Sequence, residues 1–265
     1  SAASDVYKRQ SYNCDWWRSA ALHTATRNTK GVRMMLQVRN LKVSYGASVI
    51  VDGIDLDVPQ GGVTTIIGPN GCGKSTLLRA TAGLIARDGG TVTLNGVDTS
   101  KMKRREIARQ LAVLPQTPVA PEGLTVRDLV SRGRHPHQSW LRQASAEDAR
   151  AVDAVMELTN IAEFADRQLE RLSGGQRQRA WIAMVLAQDT PLVFLDEPTT
   201  YLDLSHSVEV LSLVRRLADQ EGRTVLMVLH DLNLAARYSD QLIVMRRGEV
   251  RAVGAPAEVV TESLL

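Results

Sequence analysis

Gly68-Pro69-Asn70-Gly71-Cys72-Gly73-Lys74-Ser75-Thr76 has the residue types and spacing to hold a nucleotide phosphate. The stretch fits G-x-x-x-x-G-K-[ST], the phosphate-binding loop. Its glycines let backbone N–H groups close around phosphate oxygens, and a helix beginning at its end adds a field that favours negative charge. Lys74 would reach the β- and γ-phosphates, and Ser75 would offer its hydroxyl to Mg²⁺. Two further stretches could act on what the loop holds. Pro191-Leu192-Val193-Phe194-Leu195-Asp196-Glu197 is an apolar run ending in two acids. Asp196 is the candidate Mg²⁺ ligand and Glu197 the candidate general base, although paired acids after a strand also serve as a plain solvated turn. Leu172-Ser173-Gly174-Gly175-Gln176 precedes a helix-forming segment, Arg177 to Leu186, and makes a second helix N-terminus suited to an anion. An ordinary serine-capped helix with a Gly-Gly turn has the same local pattern.

These residues need elements to position them. Val63-Thr64-Thr65-Ile66-Ile67 is short, β-branched and apolar, a buried strand feeding the phosphate loop. Leu78, Ala82 and Ile85 recur at helical spacing after it. Alternation from Leu36 to Val43 and from Val49 to Val58, with Thr91 to Leu94 closed by Asn95-Gly96, predicts half-buried strands forming a small antiparallel sheet over the loop. Leu111 to Leu114 is a short strand ending at Pro115-Gln116. Residues of roughly 117–187 read as mostly helical: Thr125 can cap a helix through Val130, and Ser145-Ala146-Glu147-Asp148 is a capping box. Arg132-Gly133-Arg134-His135-Pro136-His137 reads as a loop. Strands at Leu192–Leu195, Thr224–Leu229 and Leu242–Met245 then alternate with helices at Leu204–Ala218 and Leu232–Tyr238, which predicts a mainly parallel, covered sheet.

The chain has 265 residues and a net charge of +3, but six of its 32 basic side chains and only two of its 29 acidic ones lie in residues 1–33. The remainder carries 26 basic against 27 acidic groups, so charge suggests no nucleic-acid partner. Cys14 and Cys72 cannot build a disulfide framework, and a reducing, cytoplasmic setting fits. Cys72, at a helix N-terminus, is either a redox-sensitive thiol or a small residue in a slot that tolerates it. The longest apolar runs are far too short to span a bilayer. Residues 1–33 lack periodicity and the h-region of a signal peptide, so they read as a non-native or disordered leader before a domain of residues 34–265. The stop at Leu265, directly after a helix-like stretch, reads as an incomplete C-terminus.

With these motifs in this order, the chain resembles the nucleotide-binding subunit of an ATP-binding cassette (ABC) transporter over about residues 35–260. The resemblance implies an α/β P-loop NTPase fold in which a mainly parallel core sheet carries an antiparallel β subdomain and an inserted helical subdomain at about 117–187. Tyr45 then matches the aromatic that stacks on adenine, Gln116 the Q-loop glutamine that meets Mg²⁺, Asp203 the D-loop and His230 the switch histidine. Each is weak alone: Tyr45 is also a loop aromatic, Gln116 a post-proline turn residue, and His230 a histidine after an apolar strand. The family arrangement implies two copies head to tail, with ATP and Mg²⁺ between one copy's Lys74 loop and the other's Ser173-Gly174-Gly175-Gln176. Glu197, His230, Lys74, Gln116 and Asp203 would form the catalytic set. Leu195 to His206 and Arg132 to His137 resemble the ATPases of bacterial ferric-siderophore importers, related to the haem and cobalamin importers, and Tyr201 fits that branch at the dimer interface. This implies a pair of transmembrane permease subunits, an extracytoplasmic substrate-binding protein and a peripheral place on the cytoplasmic face of the plasma membrane. The alternatives are the ATPase of a haem or cobalamin importer; an ABC ATPase working on DNA or ribosomes, disfavoured by the single cassette, the absence of a heptad run and the near-neutral body; and a catalytically dead nucleotide-binding regulator, disfavoured by the presence of Lys74, Glu197 and His230.

Overall fold

A computed structural model describes residues 33–138, 145–200 and 202–261. Its elements, in chain order, are β1 (Met34–Tyr45), β2 (Ser48–Pro59), β3 (Gly62–Ile67), α1 (Lys74–Thr81), β4 (Gly89–Leu94), β5 (Val97–Asp98), α2 (Arg104–Ala108) and β6 (Leu111–Leu114). There follow α3 (Val126–Arg132), α4 (Ala146–Leu158), α5 (Gly174–Ala187), β7 (Leu192–Asp196), α6 (Leu204–Glu221) and β8 (Thr224–Val228). The chain continues through α7 (Leu232–Tyr238), β9 (Gln241–Arg246), β10 (Glu249–Gly254) and α8 (Pro256–Val259). Cys14 and Tyr201 lie outside the described residues.

The core sheet has the order β10-β9-β3-β8-β7-β6. Strands β9, β3, β8, β7 and β6 run parallel, and β10 returns antiparallel against β9. Every residue of β7 and of β8 is buried, as strands covered on both faces must be. Their side chains alternate between two cores. Val193, Leu195, Val225 and Met227 face the cluster that includes the helices between β6 and β7 and α6. Leu192, Phe194, Leu226 and Val228 face the cluster shared with α1 and the second sheet. That second sheet is antiparallel, in the order β2-β1-β4-β5. Between β6 and β7 the described residues form α3, α4 and α5 with one isolated bridge, Thr125 to Gln168. The expected α/β architecture is therefore present.

Two local features differ from the periodicity. The helix after the phosphate loop ends at Thr81, so Ile85 lies beyond it. Gly83 takes φ 71, its N–H donates to Ala80 O at 3.1 Å, and Leu84 N–H donates to Arg79 O at 2.9 Å. This is the glycine-based stop that satisfies terminal carbonyls. Ile85 still packs on the core, carried there by turn rather than helix. The β9–β10 hairpin was not foreseen: Arg247 and Gly248 form its two-residue turn with φ 53 and 79, the positive values that match strand twist.

Candidate functional site

The parallel strands deliver their carboxyl ends to one edge, the place where open α/β sheets hold ligands. The phosphate loop leaves β3 there. Gly68 has φ 150, and a Cβ on it would lie 2.2 Å from the Met245 carbonyl oxygen. Gly73 has φ 101, and a Cβ there would lie 2.9 Å from Ile50 O. Backbone therefore approaches the loop from β9 and from β2, and both positions require glycine. Lys74 opens α1 and is buried, with its Nζ donating to Gly68 O at 2.8 Å and to Pro69 O at 3.0 Å. The ammonium is thus folded back over the loop it belongs to, on two of its three donors. Cys72 is buried in the core cluster with Ile66, Leu77, Leu78 and Met245, which favours its role as a small packed residue.

Asp196 ends β7 directly beside this loop. Ser75 Oγ donates to Asp196 Oδ1 at 2.7 Å, and Arg79 reaches Oδ2 at 3.4 Å. Asp196 is 1% exposed. Burial pushes its carboxyl above the usual range, against the pull of Ser75 and Arg79, and the charge of Glu197 adds to the rise. A buried carboxylate with one hydroxyl and one distant guanidinium is a place a divalent cation would suit. The donors Ser75 Oγ, Asp196 and the amide oxygen of Gln116 are the hard oxygens that Mg²⁺ prefers. Among the described residues no group of three or more His, Cys, Asp or Glu could hold a metal alone.

Glu197 follows in the left-handed region with φ 54, and its N–H donates to Val228 O at 3.2 Å. Its carboxylate is 7% exposed and has three partners. Gln116 Nε2, just past β6, donates to Oε2 at 2.6 Å; Thr200 Oγ1 donates to the same oxygen at 3.0 Å; His230 Nε2, just past β8, contacts Oε1. Neither acid is a solvated turn.

The remaining residues gather elsewhere. Ser173 caps α5: Gln176 N–H donates to Ser173 Oγ at 3.3 Å, and Ser173 N–H donates to Gln176 Oε1 at 3.0 Å. Asp203 caps α6 by accepting from the His206 N–H at 2.9 Å, and its Oδ1 lies 2.8 Å from His206 Nδ1. These contacts hold the Asp203 carboxyl below the usual range. A Cβ on Gly175 would lie 2.6 Å from the His206 ring, so the Gly-Gly turn packs against the Asp203 cap. Among the described residues no hydrogen bond or ion pair joins this cluster to the phosphate loop. Tyr45 ends β1, opposite Ser48, and is 54% exposed, leaving its ring face open to stacking.

Arg79, Thr200 and His206 were not singled out from the sequence. Each had a signal in its spacing: Arg79 is one helical turn past Ser75, and Thr200 and His206 stand three residues after Glu197 and Asp203.

A family model described as "ABC transporter" matches residues 51–200, more than half of the chain. The petrobactin import ATP-binding protein FpuD of Bacillus anthracis is 51% identical over 230 residues, covering 87% of this chain and 84% of FpuD. The iron(3+)-hydroxamate import ATP-binding protein FhuC of Bacillus subtilis is 51% identical over 230 residues, 87% of this chain and 86% of FhuC. Among solved structures, the dimeric bacterial ABC transporter cassette MJ0796 superposes with a TM-score of 0.75 at 25% identity, covering 84% of this chain and 99% of that one.

Proposed function

The chain belongs to the ABC transporter family and is an ATPase of that family; on this premise we propose that it is the ATP-hydrolysing subunit of a bacterial importer taking up an iron chelate, a ferric siderophore. The observation that carries the catalytic part is the buried Glu197 carboxylate held by Gln116 and His230 beside the Lys74 loop. The iron-chelate part rests on the likeness to FpuD and FhuC.

The proposed ATPase domain spans residues 34–265, with a helical subdomain at about 117–187. Gly68 to Thr76 cradle the phosphates, and Tyr45 stacks on the adenine. Lys74 exchanges its two carbonyl partners for β- and γ-phosphate oxygens, a neutral acceptor for a charged one, so the exchange favours nucleotide. Ser75, Asp196 and Gln116 would hold Mg²⁺, which would offset phosphate charge as the reaction proceeds. Glu197 accepts a proton from the attacking water while that water's oxygen bonds to the γ-phosphorus and the bond to the bridging oxygen breaks, releasing ADP. His230 contacts the γ-phosphate and fixes its position. The second wall of the site is the Ser173-Gly174-Gly175-Gln176 cap of another copy, with Asp203 at the seam. Each homodimer docks on a pair of transmembrane permease subunits at the cytoplasmic face, and an extracytoplasmic binding protein delivers the chelate. None of the helices among the described residues is long and apolar enough to cross a membrane.

Two measurements test this. Purified protein should hydrolyse ATP, and Glu197→Gln should lower kcat by about 10²–10⁴-fold while nucleotide affinity stays within a few-fold. Uptake of ⁵⁵Fe-loaded hydroxamate and catecholate chelates should be lost when the gene is deleted, and restored by the wild-type gene but not by the Glu197→Gln gene. Normal uptake of every iron chelate in the deletion strain would refute the substrate class.

A further inference from the structure

We propose that Thr200 is a positioning residue for Glu197, holding the carboxylate through its Oε2 so that Oε1 faces the water. The inference rests on the reading of Glu197 as general base. Of the three partners on that carboxylate, two come from other strands: Gln116 follows β6 and His230 follows β8. On the proposed reading both also serve nucleotide: His230 must turn from Glu197 to the γ-phosphate, and Gln116 must share one amide, its Nε2 on Glu197 and its oxygen on the cation. Thr200 has no such rival. It lies on the same turn as Glu197, which it closes twice: Thr200 N–H donates to Glu197 O at 3.2 Å, and Thr200 Oγ1 donates to Glu197 Oε2 at 3.0 Å. The turn begins with Glu197 at φ 54, a conformation that side-chain-bearing residues adopt at a cost and that needs such closure. One hydroxyl thus ties the base to its own backbone turn, and the tie depends neither on His230 nor on the Gln116 amide. Thr200 donates to the oxygen that Gln116 also uses, which leaves Oε1 as the oxygen freed when His230 moves.

The side chain acts through Glu197 without touching nucleotide, so its removal should change kcat and not KM. Thr200→Val keeps the shape and deletes the hydroxyl. In steady-state ATP hydrolysis by the full chain, kcat should fall about 10–100-fold, the range for losing a hydrogen bond to a charged group, with KM within about twofold. Thr200→Ser, which restores the hydroxyl, should return kcat to within about threefold of wild type. Unchanged kcat in Thr200→Val overturns the inference. So does a KM that rises in step with the loss, or a Thr200→Ser enzyme as slow as Thr200→Val, since either would mean that shape matters and not the hydroxyl. Should Thr200→Val fail to fold by thermal melting, Thr200→Ala against Thr200→Ser carries the same comparison. Glu197→Gln run alongside separates the two levels. If it abolishes turnover while Thr200→Val does not affect it, only the Thr200 assignment fails. If Glu197→Gln turns over normally, the general-base reading fails and this inference with it.

Discussion

Lys74 illustrates how a single side chain can be committed before its ligand arrives. Its Nζ lies 2.8 Å from Gly68 O and 3.0 Å from Pro69 O, so the loop is closed by the group that, on the proposed reading, leaves it for phosphate. Removing the ammonium therefore has two effects. The bound state loses a charge-assisted contact to phosphate, and the empty loop loses its internal tie. Lys74→Ala should weaken ATP binding by at least about tenfold, measured by equilibrium dialysis or calorimetry. Unchanged affinity would mean that phosphates are held elsewhere. Asp196 shows the complementary economy. Its carboxylate is buried with the Ser75 hydroxyl and Arg79 as partners, and the proposed reading adds Mg²⁺ to them.

At the scale of elements, the phosphate loop is gripped by strands far from it in sequence. Besides the close approach of Met245 O at Gly68, Gly248 N–H donates to Cys72 O at 3.0 Å and Asp52 N–H to Gly248 O at 3.2 Å. Gly68→Ala should destabilise the fold by more than about 2 kcal/mol, because backbone rather than a pliable side chain must yield; urea denaturation reads this out. A second element-level tie sits among the helices. Arg134 lies in the stretch read as a plain loop, yet it is buried, with Nε donating to Asp148 Oδ1 at 2.8 Å and Nη1 to Ala187 O at 3.0 Å. Asp148 also caps α4 with Ser145. The Ser145 backbone N–H, foremost, and then Arg134 hold the Asp148 carboxyl down at about 2, from 3.8. A depressed carboxylate contributes stability that is complete above its unfolded value and disappears as pH falls through its folded one. Stability should accordingly drop between about pH 4 and pH 2, by about 1–2 kcal/mol from this group once solvent screening is allowed for. Urea midpoints across that window, compared with Asp148→Asn, isolate the contribution: the variant should lose that part of the pH dependence.

At the scale of the whole molecule, two clusters among the described residues share no hydrogen bond or ion pair, and on the proposed reading each is half of a site. One is the phosphate loop with Asp196, Glu197, Gln116 and His230, and the other is the Ser173 cap packed against Asp203 and His206. A second copy, placed head to tail, would bring the missing half to each. Ser173→Arg should then leave nucleotide affinity within about twofold yet lower turnover by at least about 100-fold, because the bulky cation disrupts a wall that only the dimer completes. Sedimentation of Glu197→Gln with ATP and magnesium should show the dimer, and adding Ser173→Arg to that variant should return it to monomer. A monomer in both cases would remove the shared site.

Much of this was legible from local chemistry. Glycine spacing, the lysine after it, serine and threonine caps, and apolar runs ending in acids are properties of neighbours within a few residues, and local sterics and hydrogen bonding decide them. Those signals placed the phosphate loop, both acids, and the Ser145 and Ser173 caps. Only tertiary structure decided that Gln116 meets Glu197 across 81 residues, since that depends on β6 lying beside β7 in the sheet. Strand order is settled by which arrangement buries both faces of the sheet at once, a condition on the whole chain and invisible in any short window. The end of α1 and the turn into β10 rest on local chemistry, at Gly83 and at Arg247-Gly248, whereas the burial of Arg134 was decided by the distant Asp148 and Ala187 that pack against it.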